Sequence, residues 1–146
     1  MSDPRLTSDF QGQNATFLTC PIDNSTIVYS ATVAYGSSQI GLAATFTTAG
    51  DGTVKLTEDG EFVLGRITLV THDNYATVQV GGAMRLPPGS GATITEGKEI
   101  VGDLGAASAK GYIREVATAT AAELGVARGF IVEDAADANG EIAVYL

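Results

Sequence analysis

Residues 53–87 alternate between apolar and polar side chains in three successive runs, which is the pattern of half-buried β-strands. The runs are residues 54–56, 62–70 and 75–80, and the turns between them are residues 58–60 and 72–74. The first turn contains Asp59-Gly60, a pair that favours tight hairpins because both residues adopt positive φ at little cost. The stretch therefore predicts a β-meander of three strands.

Shorter apolar runs continue this pattern on both sides of the meander. The further predicted strands are residues 25–35, 39–48, 112–117, 126–133 and 141–146. Residues 118–124 predict one short helix, because Thr118 or Thr120 can cap its start and Gly125 can end it. So many short strands joined by glycine turns predict an all-β fold, a compact β-barrel or sandwich-like domain built from meanders.

Four glycines are predicted to be structural turn positions. In two segments, an apolar residue stands three positions before a glycine and a basic residue directly follows that glycine. These glycines are Gly65 and Gly97, and we expect both to adopt positive φ where one strand bends into the next. Gly60 and Gly140 lie in the predicted turns before residues 62–70 and 141–146.

The first thirteen residues differ from the rest of the chain. Residues 1–13 have no apolar periodicity and mix Ser, Asp, Pro, Gln and Gly, which predicts an extended N-terminal arm ahead of a single domain of residues 14–146. Leu6 and Phe10 are its large apolar side chains, and their spacing places them on one face of an extended strand. The arm is either a frayed terminus or a tether that becomes ordered on a partner, with Leu6 and Phe10 as the contacts.

Composition narrows the classes of partner. The chain has 18 glycines, no Trp, only 17% charged residues and a net charge of −9, so its surface repels phosphate backbones and nucleic-acid binding is not expected. No apolar stretch approaches the roughly 18–20 residues that span a bilayer, so no membrane partner is expected. The N-terminus lacks the basic and apolar regions of a signal peptide, which predicts synthesis in the cytoplasm without export.

Metal and cofactor chemistry find little support in the residue pattern. The acidic stretch of residues 133–141 offers oxygen ligands, but aligning Asn139-Gly140 with an EF-hand puts Ala135 first and Leu146 twelfth, where carboxylates are needed. His72 is the only histidine and reads as a turn residue. Cys20 is the only cysteine and lies in an apolar run, so we expect a core residue and no disulfide. No metal and no cofactor are expected.

Catalytic residues are not evident either. A nucleophile–base–acid triad would have to use His72, and the candidate serines Ser37, Ser38 and Ser90 stand in generic glycine–serine loops. Carboxylates are numerous enough for a two-acid hydrolase, although their spacing in the sequence does not bring a particular pair together. We therefore expect a protein that is not an enzyme.

From Thr47 to Leu146, about two thirds of the chain, the order of strand and glycine elements resembles the head decoration proteins that cement tailed-bacteriophage capsids. The matching elements are the Phe62-x-x-Gly65-Arg66-Ile67 bend, the strand and turn of residues 75–82, the Ile94-x-x-Gly97 element followed by residues 103–106, and the strands of residues 129–134 and 140–146. The pair of strand-like segments in residues 25–48 is an addition to the family's pattern.

The resemblance implies a compact β-rich domain, commonly a homotrimer, that binds the outer face of the major capsid protein lattice through an N-terminal arm. The expected location is then the outer capsid surface of a virion. The alternative is a phage tail or surface-exposed β module that binds glycans, although a chain without Trp and with five Tyr is poor in the aromatic platforms on which sugars stack.

Overall fold

The computed structural model describes residues 15–117, 121–133 and 135–146, and strands predominate in them. The strands are β1 Thr16–Pro21, β2 Ala43–Phe46, β3 Val54–Leu56, β4 Gly65–Val70, β5 Tyr75–Gly81, β6 Ala83–Leu86, β7 Ile100–Asp103, β8 Tyr112–Glu115, β9 Phe130–Ile131 and β10 Ile142–Tyr145. Within the described ranges the only α-helix is the short α1, Ala121–Leu124. The prediction of an all-β fold with one short helix is confirmed. The predicted helix start and its caps, Thr118 and Thr120, lie outside the described residues.

The strands form three antiparallel sheets. The largest has the order β1-β5-β4-β2-β3, the second has the order β6-β10-β9, and β7 pairs with β8. An isolated bridge between Ile22 and Val54 joins the two edges of the five-stranded sheet at one end, so this sheet curls strongly. One bridge does not close a barrel, and the part of the chain that the structure describes is sandwich-like.

Two hydrophobic cores lie on opposite faces of the five-stranded sheet. Ala44 packs in the first core and its neighbour Ala43 in the second, because successive strand residues point to opposite faces. The first core is formed by Cys20, Ile22, Ile27, Ala44, Val54, Leu56, Leu64, Ile67, Val70, Ala76 and Val78. The second is formed by Ala43, Val63, Met84, Leu86, Ile100, Ile113, Ile131, Ile142 and Val144. The prediction that Cys20 is a core residue is confirmed.

The predicted meander is only half correct. β4 and β5 form the expected hairpin, but β3 does not pair with β4, because β2 lies between them. Ala44 of β2 is opposite Leu56 on one side and Gly65 on the other. The Asp59-Gly60 turn therefore connects two strands that are not neighbours, and Gly60, with φ 74°, donates its N–H to the carbonyl oxygen of Gly102.

The strand predicted at residues 25–35 is wrong. The Asp23 carboxylate accepts the backbone N–H groups of Ser25, Thr26 and Ile27, which gives the backbone a local alternative to sheet pairing. Tyr35 then adopts φ 57°, a left-handed conformation that ends any extended run. The apolar alternation is real, but it serves an irregular segment that packs Ile27 against the first core.

Other predicted strands are shorter than expected. Residues 39–48 contain only β2, residues 112–117 only β8, residues 141–146 only β10, and residues 126–133 only the two-residue β9. The last of these is cut short because Gly129, with φ 62°, turns the chain just before Phe130. The apolar pattern located these strands but did not mark where pairing starts and stops.

The four glycines predicted at turns meet two different structural requirements. Gly60, Gly97 and Gly140 have φ of 74°, 78° and 75°, which is the left-handed region that glycine favours. Gly65 has no positive φ, so that prediction is wrong. A Cβ at Gly65 would stand 1.9 Å from the carbonyl oxygen of Gln79, so glycine is needed there for the close approach of two strands.

Candidate interaction surface

The described structure begins directly beside the edge strand β1. Residues 1–13, with the predicted contacts Leu6 and Phe10, lie outside the described residues. β1 is the first strand of the five-stranded sheet and has a paired neighbour, β5, on one side. Residues 16–19 are all exposed, whereas Cys20 is 4% exposed. The N-terminal segment is therefore attached at an uncovered part of a sheet edge.

The side of β1, β5 and β4 that faces away from the first core carries large apolar side chains. Ala76 and Val78 of β5 point into that core, so Tyr75 and Thr77 point to the opposite side. The strand register places Thr19 and Leu69 beside Thr77 on that side, with Phe17 next along β1. Phe17, Tyr75 and Leu69 are 53%, 43% and 38% exposed. We call Phe17, Thr19, Leu69, Tyr75 and Thr77 the outer face.

The segment of the chain that contains β1 is almost without charge. Between residues 10 and 50 the sequence has one charged residue, Asp23, in a chain whose net charge is −9. Partial burial opposes ionisation of Asp23, but hydrogen bonds from the Ile27 N–H and from Thr26 outweigh it and lower the pKa of Asp23. Its carboxylate is therefore occupied within its own loop. Exposed apolar side chains on an uncharged segment of an acidic protein are typical of a protein-binding site.

A second exposed element lies at one end of the same sheet. Residues 31–35 are exposed in succession, and Tyr35 is 69% exposed. The next residue, Gly36, packs so tightly against β4 that a Cβ would stand 1.8 Å from the Val70 carbonyl oxygen. Gly36 also accepts a hydrogen bond from the Ser30 N–H at 2.8 Å. These contacts hold the backbone of Tyr35 in a left-handed conformation that few non-glycine residues adopt, while its aromatic ring stays exposed.

The polar clusters elsewhere are structural ion pairs. Arg114 donates to Asp59 at 2.9 Å and to Glu123 at 2.5 Å. Glu123 also accepts the N–H of Ala117 at 3.0 Å. The hydrogen bond from Arg114, followed by the one from Ala117, lowers the pKa of Glu123 to about 2. Arg114 therefore anchors α1 to the chain that precedes it and leaves Glu123 no capacity to act as a general acid or base near neutral pH.

We expect the Arg114–Glu123 pair to make stability pH-dependent in acid. Because the pKa of Glu123 falls from 4.5 to about 2 on folding, its contribution is present above pH 4.5 and is lost as the pH falls towards 2. Solvent reaches both side chains, so we expect Glu123→Gln to lower the free energy of unfolding at pH 7 by about 1–2 kcal/mol. Urea titrations at pH 7 and pH 2 measure the difference.

The exposed Glu96→Gln is the matched control for this pair, because the described residues show no ion pair for Glu96. It should change stability by less than about 0.5 kcal/mol at either pH. If the loss caused by Glu123→Gln is as large at pH 2 as at pH 7, the ionised pair is not the source of the stability.

The acidic stretch between β9 and β10 is a closed turn. The Asp137 carboxylate accepts the N–H of Glu141 at 2.9 Å and that of Asn139 at 2.8 Å. These hydrogen bonds, the one from Glu141 first, lower the pKa of Asp137, and the positive charges of Arg85 and Arg66 add to the effect. The turn predicted before residues 141–146 is confirmed in its described residues, and it joins the antiparallel strands β9 and β10, while Asp134 lies outside the described residues.

The histidine and the cysteine of the chain belong to no cluster of metal-binding side chains among the described residues. His72 is exposed in the turn between β4 and β5, where it was predicted, and Cys20 is buried with its thiol pKa raised by that burial. Across residues 15–117, 121–133 and 135–146, no three His, Cys, Asp or Glu side chains are grouped so as to hold a metal ion. No helix in those ranges is long and apolar enough to cross a membrane.

Comparison with known proteins adds no relative: no protein-family model matches the sequence, and no curated protein is significantly similar to it.

The outer face was missed by sequence reasoning. Its residues come from three strands, and their convergence depends on β1 pairing with β5, which no local pattern indicates. A usable signal was nevertheless present, because a stretch of about forty residues with one charge is unusual in a chain of this acidity. The sequence instead placed the contacts on the arm, at Leu6 and Phe10.

Proposed function

We propose that this protein is a structural component of a bacteriophage virion that binds the outer face of the capsid and stabilises the major capsid protein lattice. The observation that carries the proposal is the uncharged sheet edge of β1, which bears exposed Phe17 and Leu18 and directly follows the N-terminal segment. The order of strand and glycine elements resembles that of the capsid-decoration family. This resemblance is the reason for proposing the major capsid protein as the partner that binds the edge.

The distribution of charge suits a position on the outside of a shell. With a net charge of −9, the protein is not attracted to packaged nucleic acid, and its acidic surface keeps many copies soluble before they bind. The charged side chains described above are engaged in ion pairs and turns. In this proposal the partners are the major capsid protein and further copies of the same chain, arranged as a homotrimer.

The arm supplies the capsid contact in this proposal. An extended segment can add a strand to the edge of a neighbouring sheet, with main-chain hydrogen bonds for affinity and alternate side chains in pockets. Burying Leu6 and Phe10 contributes roughly 1.5–3 kcal/mol each, against about 1–2 kcal/mol of backbone entropy for every residue that becomes ordered. One arm therefore binds weakly, and a trimer multiplies the effect by holding three arms together.

We expect deletion of residues 2–12 to leave the domain folded, with its melting temperature almost unchanged, and to lower capsid occupancy strongly. Phe10→Ala should cause part of the same loss, because it removes one of the two apolar contacts. Ser8→Ala is the matched control within the arm and should bind as the intact protein does. Occupancy is measured by co-sedimentation with capsids over a range of protein concentrations.

If the truncated protein decorates capsids as tightly as the intact one, residues 1–13 are a frayed end and the capsid contact lies on the domain. A fall in melting temperature on truncation would instead show that the arm belongs to the fold.

A second candidate is a tail or surface-exposed module that binds glycans. It is favoured by three exposed aromatic rings, those of Phe17, Tyr35 and Tyr75, on a surface rich in neutral hydroxyl groups. Sugars stack on such rings, and the strained backbone of Tyr35 holds one of them in solvent. Binding to purified host polysaccharide that is lost in Tyr35→Ala would support this candidate over the capsid role.

A further inference from the structure

We propose that Asn139 is a site of spontaneous covalent modification, at which deamidation is held back by the turn that Asp137 closes. The chain has four asparagines, and Asn139 alone is followed by a glycine. Asn139 and Gly140 are both exposed in the turn between β9 and β10. The inference goes beyond the proposed function, because it concerns the chemistry of the chain itself and needs no partner.

The reaction joins the backbone nitrogen of Gly140 to the side-chain carbonyl carbon of Asn139. That carbon then loses its amide nitrogen, which takes the proton of the Gly140 nitrogen and leaves as ammonia, so that a five-membered succinimide ring remains. Water opens the ring at either carbonyl and gives aspartate or isoaspartate. A following glycine favours ring closure because it has no side chain to obstruct the attack.

The surroundings of the turn leave both reacting groups accessible. The space around Gly140 is open, since even an added Cβ would meet no atom within 4 Å. The side-chain amide of Asn139 makes no hydrogen bond within the described residues. Neighbouring side chains therefore shield neither group, and water can reach the succinimide.

Hydrogen bonds within the turn oppose the reaction. The N–H of Gly140, whose nitrogen is the nucleophile, donates to the carbonyl oxygen of Asp137 at 3.0 Å. The Asp137 carboxylate accepts the N–H of Asn139 at 2.8 Å and that of Glu141 at 2.9 Å. These three hydrogen bonds fix the backbone on both sides of the nucleophile, so ring closure requires the turn to open locally. Asp137 therefore limits the rate of deamidation.

Conversion to isoaspartate would disturb the junction between two sheets. It redirects the backbone through the former side chain and so inserts one methylene group between the Cα of Asn139 and the nitrogen of Gly140. The N–H of Glu141 then no longer lies opposite the Asp137 carboxylate. Glu141 also forms an ion pair with Arg66 of β4, with 3.7 Å between Oε1 and Nη2. The modification therefore weakens the contact between this turn and the five-stranded sheet.

Incubation of the intact chain at neutral pH, followed by mass spectrometry of its peptides, tests the proposal. Asn139 should deamidate several times faster than Asn24 and Asn74, which are also exposed but precede Ser25 and Tyr75. The rate at Asn139 should rise with pH, because the Gly140 nitrogen must lose its proton to attack.

Asp137→Ala should accelerate deamidation of Asn139 about tenfold, because it removes both hydrogen bonds to the carboxylate. Asp51→Ala is the matched control, since Asp51 is exposed and its carboxylate accepts the Thr53 N–H in another turn. It should leave the rate at Asn139 unchanged. A synthetic peptide of residues 135–143, which lacks the rest of the fold, should react at least as fast as Asp137→Ala and serves as the open-turn reference if that variant does not fold.

Asn139→Gln separates deamidation from other changes during storage. A glutamine at this position would have to form a six-membered ring, which closes far more slowly. The melting temperature of the incubated original should fall by about 2–4 °C, whereas that of incubated Asn139→Gln should stay constant.

The proposal is overturned if Asn139 deamidates no faster than Asn24 and Asn74, or if neither Asp137→Ala nor the free peptide reacts faster than the intact chain. Neither result would bear on capsid binding, which is measured separately.

Discussion

Replacing Gly65 with alanine is expected to destabilise the protein more than any other single change considered above. The added Cβ would stand 1.9 Å from the carbonyl oxygen of Gln79 and 3.1 Å from the Cα of Val80. Both are backbone atoms of β5, so they can retreat only if the β4–β5 pairing opens. We expect a loss of more than about 4 kcal/mol, which is exceptional for one substitution and comparable to the total stability of many domains.

Gly125→Ala is the matched control, because Gly125 also lacks positive φ but its Cβ would meet nothing nearer than 3.5 Å. Alanine there should be neutral or slightly stabilising, since it restricts the unfolded chain without a clash. Urea unfolding followed by circular dichroism measures both variants. A Gly65→Ala protein within about 1 kcal/mol of the original would mean that β4 and β5 do not approach so closely.

The second large effect is expected at Arg128. Its guanidinium donates to the carbonyl oxygens of Leu64, at 2.6 Å, and of Val80, and it lies 5.7 Å from the centre of the Phe62 ring. The structure shows no carboxylate paired with it among the described residues, and burial lowers its pKa. Because the Arg128 backbone also pairs with Ile100 of β7, this residue connects the five-stranded sheet to the second core.

Arg128→Met keeps much of the length of the side chain but leaves two part-buried carbonyl groups without their donors. Each unsatisfied group costs about 1–3 kcal/mol, so we expect a loss of about 2–4 kcal/mol after allowing for the desolvation of the charge that is removed. The stability of Arg128→Lys should fall between those of the original protein and Arg128→Met, because one ammonium group cannot reproduce the planar fork of donors in a guanidinium group.

Lys98→Met, at an exposed position, is the control for Arg128→Met and should change the free energy of unfolding by less than about 0.5 kcal/mol. Equal effects of the two substitutions would show that the buried hydrogen bonds of Arg128 do not stabilise the domain.

The parts of the fold that could be predicted are those set by neighbouring residues. The β4–β5 hairpin follows from two alternating runs around one polar turn, and the closing strand β10 follows from an apolar run after Asn139-Gly140. The insertion of β2 between β3 and β4 could not be predicted, because it depends on pairing between distant segments. Alternation in residues 25–35 does not produce a strand, because the Asp23 carboxylate binds the backbone N–H groups of residues 25–27 and Tyr35 adopts a left-handed conformation.

The candidate surface shows the same division. The absence of charge between residues 10 and 50 is visible in the sequence, apart from Asp23. The sequence does not show that Phe17, Leu69 and Tyr75 share one exposed face, because their positions depend on the strand order β1-β5-β4. Gly65 is a further case, since its sequence context suggested a bend and its actual role is to permit contact between strands.

The proposed capsid role is tested most directly by mixing the intact protein with purified capsids of the bacteriophage to which the proposal assigns it, and pelleting the capsids. We expect saturable co-sedimentation, with density for the bound protein clustered at threefold or quasi-threefold positions on the outer surface. Protein that remains entirely in the supernatant at saturating concentration, while the capsids pellet, would contradict the proposal.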